Sequence, residues 1–326
     1  MVSIYEGDAD LPFKGEVESL DRPMSKRYYD FVGWKMLAAI IKEYKPDILQ
    51  ANAADTLKYA IFSKLAHQWQ TPVIFRNASA SSFYIKDVFS KYLNRFLLER
   101  TSLVLSVSQA SKRDLNQIFP FTEKFSKVLP VGVEGNKMNG SLPVFDKTHK
   151  HILHIGSFTK EKNHIRIIAI YEEVNKRMPG TLLHLMGDGP LFKEIKESVR
   201  QKNLQKSVFF HGGVRDPYPY LNGADLLILP SLVEGLPAVL LEAMYCKIPV
   251  IAFDVGGISE IVTAATGSLV AYNDEEQFVE LILEMLKNPD RQKIRNAYEM
   301  VANYYTNRHI TQQFVEAYHD LLMKQP

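Results

Sequence analysis

The stretch Asp225-Leu-Leu-Ile-Leu-Pro-Ser-Leu-Val-Glu-Gly-Leu-Pro-Ala-Val-Leu-Leu-Glu-Ala-Met244 contains the signals of a strand, a loop and a helix in succession. The apolar run at 225–229 predicts a buried strand, and Pro237 suits the first position of a helix because its φ is already near the helical value. Gly235 lets the loop backbone approach a ligand closely. This order is typical of α/β folds, in which ligands bind where parallel strands end.

The same alternation continues over most of the 326 residues and predicts two doubly wound, Rossmann-like α/β domains that face a cleft. Glycines, prolines and polar residues at 132–150 indicate a linker, so we place the domains at 1–145 and 146–326. The predicted strands lie at 47–52, 72–76, 103–107, 151–155, 181–186, 207–211, 225–229, 249–252 and 267–271. The predicted helices lie at 25–44, 55–68, 85–100, 163–177, 190–202, 237–246 and 257–264, with a further helix after Ser108 and a helical tail from 274.

The composition excludes several classes of protein. A net charge of +2, from 39 basic and 37 acidic residues, is too balanced for an obligate nucleic-acid binder. The single cysteine, Cys246, excludes a disulfide framework and a cysteine-based zinc site, and it reads as an inert thiol in an apolar helix. No apolar run approaches the roughly 18 residues of a membrane span, and the start of the chain does not resemble a signal peptide. We therefore expect a cytoplasmic location.

The quoted stretch also predicts an anion site. The backbone amides of Leu236, Ala238 and Val239 would point from the start of the helix, where the helix dipole favours a diphosphate. Glu234 and Glu242 flank these amides and are suited to accept hydrogen bonds from sugar hydroxyls. The alternative is that both are solvated surface carboxylates, but Glu242 lies in an apolar helix, where a carboxylate is costly unless a partner satisfies it.

These motifs resemble family 4 of the retaining glycosyltransferases, which have the two-domain GT-B fold. The resemblance covers nearly the whole chain but is specific only in the second half. Its motifs are Ile155-Gly-Ser-Phe158 with Lys162-Asn163, Met186-Gly-Asp-Gly-Pro190, Val208-Phe-Phe-His-Gly212, Glu234-Gly-Leu-Pro237 with Glu242-Ala-Met244, Ile248-Pro-Val-Ile-Ala252, Gly256-Gly-Ile-Ser-Glu-Ile-Val262 and Thr266-Gly-Ser-Leu-Val270.

The resemblance implies roles for the matching residues. Glu234 would contact the transferred sugar, and Lys162 would bind the diphosphate together with the amides after Gly235. Glu242 would hold the ribose, and Asp188 with the stretch 211–214 would line the base pocket. The donor-binding residues implied in this way are Gly156, Ser157, Lys162, Asp188, Val214, Gly235, Leu236, Pro237, Val239 and Glu242, and the catalytic ones are Glu234 and Lys162.

Two features depart from the family pattern. Ser157 stands where the family usually has an arginine that shares the diphosphate with the lysine, so either Lys160 substitutes or the leaving group is less stabilised. Family members also open with a strand and a glycine-rich loop, and the first domain here is expected to lack that first βα unit. An incomplete sequence and a diverged form would both explain this.

The resemblance implies a UDP-, GDP- or ADP-sugar as donor, a glycan or lipid-linked acceptor, and a role in cell-surface polysaccharide synthesis. The departing phosphate oxygen would deprotonate the acceptor, so no protein nucleophile is required. Lys162 and the helix amides would stabilise the charge on the diphosphate, so no cofactor or metal is expected. The only Asp-x-Asp sequence, Asp8-Ala9-Asp10, lies outside the proposed donor domain. The rival hypothesis is a non-catalytic sugar-nucleotide-binding or partner subunit. An epimerase or a phosphorylase fits less well.

Three lesser patterns leave alternatives open. His149, His151 and His154 have a spacing that could chelate a metal, although ordinary strand and linker histidines are commoner. The helix at 85–100 mixes basic and apolar residues, which suits either peripheral contact with a membrane or packing on the sheet. Arg76, Asn77 and Ser79 follow a strand and could face the acceptor; they could also be commonplace polar residues.

Overall fold

The computed structural model describes residues 1–5, 15–135 and 144–323. The chain divides into two compact units. Unit 1 comprises Met1–Val107, Ser111–Val128 and Val315–Pro326, and unit 2 comprises Ser108–Ala110 and Leu129–Phe314.

Unit 2 is built on one six-stranded parallel sheet with the strand order β12-β11-β10-β7-β8-β9. Strand order reverses between β7 and β10, which is where open α/β sheets bind ligands at their carboxyl edge. The strands are β7 (Lys150–Ile155), β8 (Thr181–Met186), β9 (Val208–Gly212), β10 (Leu226–Leu229), β11 (Val250–Phe253) and β12 (Ser268–Val270). The helices are α6 (His164–Arg177), α7 (Phe192–Gln201), α8 (Tyr218–Leu221), α9 (Ala238–Tyr245), α10 (Glu275–Lys287) and α11 (Arg291–Tyr304).

Alternate strand residues fill the core of unit 2. Ile152, Leu183 and Leu185 are fully buried on one face of the sheet, where they pack with α6, α7 and α10. The intervening positions of the same strands carry His151 and His184, which lie on the opposite face. Every residue of the central strands β10 and β11 is buried, which holds the ends of these strands, and therefore the loops that follow them, in fixed positions.

Unit 1 contains two separate parallel sheets, one of four strands in the order β3-β4-β5-β6 and one of two strands, β1 and β2. A cavity of about 590 Å³ is lined by both β1 and β3 and is mainly apolar. The strands are β1 (Val2–Tyr5), β2 (Glu18–Arg22), β3 (Leu49–Ala51), β4 (Val73–Asn77), β5 (Leu103–Ser106) and β6 (Ser126–Val128). The helices are α1 (Phe31–Tyr44), α2 (Ala54–His67), α3 (Ser81–Tyr84), α4 (Val88–Leu98) and α5 (Gln109–Ile118), and α12 (Asn307–Leu322) ends the described chain.

The predicted strands from 47 onward are all present, but three strands were missed. β1, β2 and β6 are short, and β2 has a polar sequence with only Leu20 buried. The predicted helix at 257–264 is only a single 3-10 turn, Ile258–Glu260. The expected lack of an opening βα unit stays a prediction, and Asp8-Ala9-Asp10 lies outside the described residues.

The domain boundary predicted after 145 differs from the division into units. Residues from Leu129 onward already belong to unit 2, because Val133 donates to the carbonyl of Tyr305 (2.8 Å) and accepts from the amide of Asn307 (2.9 Å). The end of α12 instead belongs to unit 1, where the Tyr318 hydroxyl donates to Oε1 of Gln50 at 2.6 Å. Such long-range pairings leave no local signal in the sequence.

Candidate functional site

The predicted strand, loop and helix at 225–246 are confirmed as β10, a loop and α9. Pro237 lies at the N-cap, one position before the predicted one, with φ −75°. Leu240 donates to the Pro237 carbonyl at 3.2 Å, but the amides of Leu236, Ala238 and Val239 have no acceptor in the described part of the chain. Free amides at a helix start are suited to bind an anion, and the anion site itself stays a prediction.

Two glycines of unit 2 hold the loop before α9. Gly256 has φ +59°, and a Cβ at this position would lie 1.8 Å from the carbonyl oxygen of Glu234. The amide of Gly257 donates to the carbonyl of Gly235 at 3.0 Å. Only glycine permits both this backbone conformation and this close approach, so the Gly-Gly pair fixes where Glu234 lies.

Lys162 and Glu234 are brought together by two loops at the switch point. Lys162 ends the 3-10 turn Lys160–Lys162 that follows β7, and its Nζ lies 2.5 Å from Oε1 of Glu234. The amide of Leu232 donates to the carbonyl of Glu161 at 2.7 Å and ties the two loops to each other. Glu234 is only 7% exposed, so this charge-assisted pair is largely shielded from water.

The loops after β7 and β8 also approach each other closely. A Cβ at Gly187, where φ is +134°, would lie 2.1 Å from the carbonyl oxygen of Gly156. Phe158 donates its amide to the carbonyl of Asp188 at 2.9 Å, while the exposed Asp188 carboxylate accepts from the amide of Gly189 at 2.7 Å. Gly156 and Asp188 therefore lie at the same edge of the sheet of unit 2.

Ser157 projects from this edge and is exposed. Its hydroxyl makes no hydrogen bond to any described residue, so the position has room for a longer side chain. Lys160, which is one of the two alternatives for the missing arginine, is exposed in the turn that follows.

Glu242 lies in the second turn of α9 and is half-buried. Its carboxylate has no hydrogen-bond partner among the described residues, and burial raises the pKa of Glu242. Burial and the nearby Glu242 charge raise the pKa of Cys246 to about 12, so this thiol stays protonated and is a poor nucleophile. Among the predicted site carboxylates, Glu242 is the one that makes no hydrogen bond to a described residue, whereas Glu234 and Asp188 each accept one.

A hydrogen-bonded row of three histidines crosses the sheet face opposite the core, and sequence analysis missed it. Nδ1 of His151 lies 3.0 Å from Nε2 of His184, whose Nδ1 lies 3.0 Å from Nε2 of His211. Nε2 of His151 lies 3.0 Å from the carbonyl oxygen of Asp146 and must donate to it. Burial and the neighbouring rings lower the pKa of His184 to about 3, so its ring is neutral. With neutral rings, Nδ1 of His151 then accepts from Nε2 of His184, and Nδ1 of His184 accepts from Nε2 of His211. This order leaves Nδ1 of His211 as an acceptor.

The end of this row lies near the predicted base pocket. The carbonyl of Gly212, next to His211, accepts from the amide of Gly187 at 2.8 Å. Val214 is half-buried in the loop that follows. Tyr220 of α8 contacts the His211 ring with centroids 4.9 Å apart. Burial, together with the Glu242 charge, raises the pKa of Tyr218 on the same helix.

The metal-chelate alternative for the predicted histidines is not formed. His151 belongs to the row, the exposed His149 contacts Asp146, and Nδ1 of His154 lies 3.0 Å from the carbonyl oxygen of Ile228. No group of three or more metal-binding side chains occurs in residues 1–5, 15–135 and 144–323. His154 is instead a core residue, and burial lowers its pKa well below the usual value.

In unit 1, α4 divides its apolar residues between two faces. Leu97 and Leu98 are buried, and Leu93 and Phe96 pack on the core, as the packing alternative predicted. On the other face Val88, Phe89 and Tyr92 are 71–74% exposed.

Arg76 and Asn77 are almost fully buried at the end of β4. No helix in the described chain is sufficiently long and apolar to cross a membrane.

Family models match both parts of the chain. The model "Glycosyltransferase Family 4" matches residues 4–136, and the model "Glycosyl transferases group 1" matches residues 143–302. The chain belongs to the group 1 and family 4 glycosyltransferases.

Two characterised relatives match at low identity. The N-acetyl-alpha-D-glucosaminyl L-malate synthase of Bacillus anthracis is 25% identical over 311 residues, which cover 90% of this chain and 80% of that protein. The N-acetylgalactosamine-N,N'-diacetylbacillosaminyl-diphospho-undecaprenol 4-alpha-N-acetylgalactosaminyltransferase of Campylobacter jejuni is 27% identical over 237 residues, 70% of this chain and 62% of that protein. The chain thus spans less than two thirds of the second relative.

Solved structures show the fold. Sucrose-phosphate synthase from Thermosynechococcus elongatus has a TM-score of 0.84 at 19% identity and covers 100% of this chain and 89% of its own. Anabaena HepE in complex with UDP-glucose has a TM-score of 0.81 at 20% identity, and the match covers 93% of this chain and 86% of HepE. The predicted two-domain α/β fold of the GT-B type is confirmed.

Proposed function

We propose that the chain is a retaining glycosyltransferase that moves a sugar from a nucleotide-diphosphate sugar to a glycan or lipid-linked acceptor in cell-surface polysaccharide synthesis. The observation that carries this proposal is the cluster formed by Lys162, Glu234 and the free amides at the start of α9. It combines one cation, one helix end and one carboxylate at the switch point of a parallel sheet, where a diphosphate-linked sugar would fit.

The chemical step follows from where charge develops. When the bond between the sugar and the diphosphate breaks, negative charge grows on the departing phosphate oxygen. Lys162 and the amides of Leu236, Ala238 and Val239 are placed to stabilise that charge, and this is the basis for proposing a metal-independent reaction. The departing oxygen then takes the proton of the acceptor hydroxyl on the same face of the sugar, which retains the anomeric configuration.

The carboxylates are proposed to position the donor. Oε1 of Glu234 holds Lys162, which leaves Oε2 to accept a hydroxyl of the transferred sugar. Glu242 would accept the ribose hydroxyls, since its carboxylate is half-buried and has no partner in the described chain. Asp188, Val214 and the Nδ1 acceptor of His211 would surround the base.

The names of similar proteins agree with these substrates. HepE was solved with UDP-glucose, which supports a sugar nucleotide as donor. The Campylobacter jejuni relative is named for an acceptor on diphospho-undecaprenol, which supports a lipid-linked acceptor. The exposed apolar residues of α4 are suited to contact a membrane surface, and we propose that the protein works peripherally on the cytoplasmic face.

Replacing Glu242 tests the donor site. Glu242→Ala should weaken binding of the preferred nucleotide sugar by about tenfold, the size expected for a lost charge-assisted hydrogen bond. Calorimetric titration over UDP-, GDP- and ADP-sugars identifies the donor and measures the loss. Glu276→Ala is the matched control, because Glu276 is an exposed carboxylate on α10 of the same unit.

The same titrations, followed by an assay of sugar transfer and donor hydrolysis, separate the proposal from its rival. An unchanged dissociation constant in Glu242→Ala would remove Glu242 from the site. If the chain binds a donor but neither transfers the sugar nor hydrolyses the donor slowly, even with acceptors present, the result would favour a non-catalytic partner subunit.

A further inference from the structure

Two buried histidines of unit 2 lie beside Lys162, and neither takes part in the proposed reaction. His154 on β7 is 0% exposed, and His164, the first residue of α6, is 1% exposed. Their ring centroids are 4.8 Å apart, and the ring planes are nearly perpendicular, at 87°. Burial, and after it the charge of Lys162, lowers the pKa of His164 to about 4. Burial, His164 and Lys162 hold the pKa of His154 well below its usual value, so both rings are neutral.

The hydrogen bonding of His154 fixes its tautomer. Its Nδ1 lies 3.0 Å from the carbonyl oxygen of Ile228 on β10 and must donate to it, because a carbonyl only accepts. Since the ring is neutral, Nε2 carries no proton and is an acceptor. This nitrogen is buried and has no hydrogen-bond partner among the described residues. A buried acceptor without a partner costs free energy, which points to a role for His154 other than packing.

The surroundings of Gly156 show where this acceptor is directed. A Cβ at Gly156 would lie 3.1 Å from Nε2 of His154 and 3.2 Å from both Cγ and Cδ of Lys162. The acceptor and the aliphatic stem of the lysine therefore approach the same point, next to a residue that has no side chain. At the end of this stem, Nζ of Lys162 meets Oε1 of Glu234.

Packing holds the His154 ring in one orientation. His164 meets this ring edge to face, and the Phe158 ring stacks on His164 with centroids 3.9 Å apart. Phe158 is itself fixed, because its amide donates to the carbonyl of Asp188 at 2.9 Å. The His154 ring thus has a hydrogen bond on one side and a packed ring on another, and its Nε2 keeps one direction.

We propose that His154 is a positioning residue that directs Lys162 toward the diphosphate through its unprotonated Nε2. The inference rests on the proposed function, to which it adds a residue that touches no substrate. The lone pair of Nε2 places partial negative charge beside Lys162, which favours the course of the cation across Gly156 over a course into solvent. The role requires a neutral ring, since a protonated one would repel the ammonium group.

Two substitutions separate the nitrogens of His154. His154→Asn keeps a donor near the position of Nδ1 and removes Nε2, whereas His154→Gln keeps an acceptor near the position of Nε2 and loses the bond to Ile228. In calorimetric titration, His154→Asn should weaken UDP binding by about tenfold, and His154→Gln should retain most of it. A packing role alone predicts lower stability in both variants without this difference in UDP affinity.

A double-mutant cycle with Lys162→Met shows whether His154 acts through the lysine. In the Lys162→Met background, His154→Asn should have no further effect on UDP affinity, whereas an independent structural effect would add to that of Lys162→Met. Additive losses, or equal UDP affinity in His154→Asn and His154→Gln, overturn the proposal.

The reactivity of Lys162 gives a readout that needs neither nucleotide nor transfer. Reductive methylation followed by mass spectrometry compares Lys162 with Lys150, an exposed lysine at the start of β7. In His154→Asn the rate at Lys162 should rise about threefold while that at Lys150 stays constant. Gly156→Ala inserts a methyl group between Nε2 and the lysine stem, should act in the same direction, and is the second variant if His154→Asn does not fold.

The outcomes separate this inference from the proposed function. A methylation ratio that stays unchanged in the folded variants overturns the positioning role of His154. Absence of UDP binding in the unaltered chain would overturn the proposed function, and the methylation ratio would still decide whether His154 positions Lys162.

Discussion

The two units share the alternation of strands and helices, but their sheets and sites are built differently. In unit 2, six strands form one continuous sheet, and its loops meet through glycines whose backbone touches that of another loop. In unit 1, four strands and two strands form separate sheets, with an apolar cavity lined by β1 and β3. A second cavity, of about 580 Å³, is lined by residues from several elements, among them the long side chains of Arg27, Lys58 and Arg76.

This difference explains why motifs are dense in the second half of the chain and sparse in the first. A loop that must touch another backbone accepts only glycine, so its sequence is restricted and conspicuous. A cavity lined by flexible cations can be built from many arrangements of residues. Unit 1 can therefore carry a binding site that leaves no recognisable pattern in the sequence.

The largest effect is expected where backbone touches backbone. Gly256→Ala places a methyl group 1.8 Å from the carbonyl oxygen of Glu234 and imposes φ +59° on an alanine. The backbone conformation alone costs about 1–2 kcal/mol, and the clash must displace the loop that carries Glu234. We expect loss of nucleotide-sugar binding and a lower free energy of unfolding, measured by titration and denaturant unfolding.

Gly180→Ala provides the control for the conformational cost. Gly180 has φ +92°, but a Cβ there would meet no atom within 4 Å. It should lose stability and keep donor binding. If Gly256→Ala binds the donor as tightly as Gly180→Ala, close backbone packing does not define the unit 2 site.

A smaller effect is expected on the exposed face of unit 1. The double variant Phe89→Ser and Tyr92→Ser removes two rings that are 74% and 71% exposed. If this face contacts lipid, partitioning onto vesicles of phosphatidylglycerol and phosphatidylcholine should fall by about tenfold or more, because each buried ring contributes roughly 1.5–3 kcal/mol. Sedimentation with the vesicles measures the bound fraction.

A variant in unit 2 tests whether the loss of vesicle binding is specific to unit 1. Tyr304→Ser alters a ring that is 66% exposed on α11 of unit 2 and should leave vesicle binding unchanged. Nucleotide binding should be unchanged in all of these variants. Equal losses of vesicle binding in both units would show that exposed aromatic residues act nonspecifically.

The sequence predicted the fold, and it named residues that the structure brings together in unit 2, because both depend on local signals. The strand at 181–186 was predicted at its observed bounds, and Lys162 and Glu234 were assigned to one site from motifs 72 residues apart. The row formed by His151, His184 and His211 was missed, since its members lie in three strands and only the pairing of the sheet brings them together. Their shared signal is a polar residue at alternating positions in otherwise apolar strands.

The second cavity of unit 1, lined by Arg27, Lys58 and Arg76, was missed for a related reason. Arg76 and Asn77 were noted after a strand, but Arg27 and Lys58 come from other parts of the chain, and each alone reads as a surface charge. Long-range packing likewise decides that the chain enters unit 2 at Leu129 rather than after 145, and that it returns to unit 1 at Val315. Neither feature has a local pattern that the sequence could have offered.

The smallest effect concerns the departure from the family pattern at Ser157. Because this residue is exposed and its hydroxyl has no described partner, Ser157→Arg introduces a second cation beside Lys162 without disturbing packing. If the diphosphate is under-stabilised, turnover should rise about three- to tenfold, a modest gain because the position is open to solvent. Ser157→Gln adds length without charge and should have no such effect. If instead Ser157→Arg leaves turnover unchanged while Lys160→Ala lowers it, Lys160 already supplies the second charge, and the site of unit 2 is complete with serine at this position.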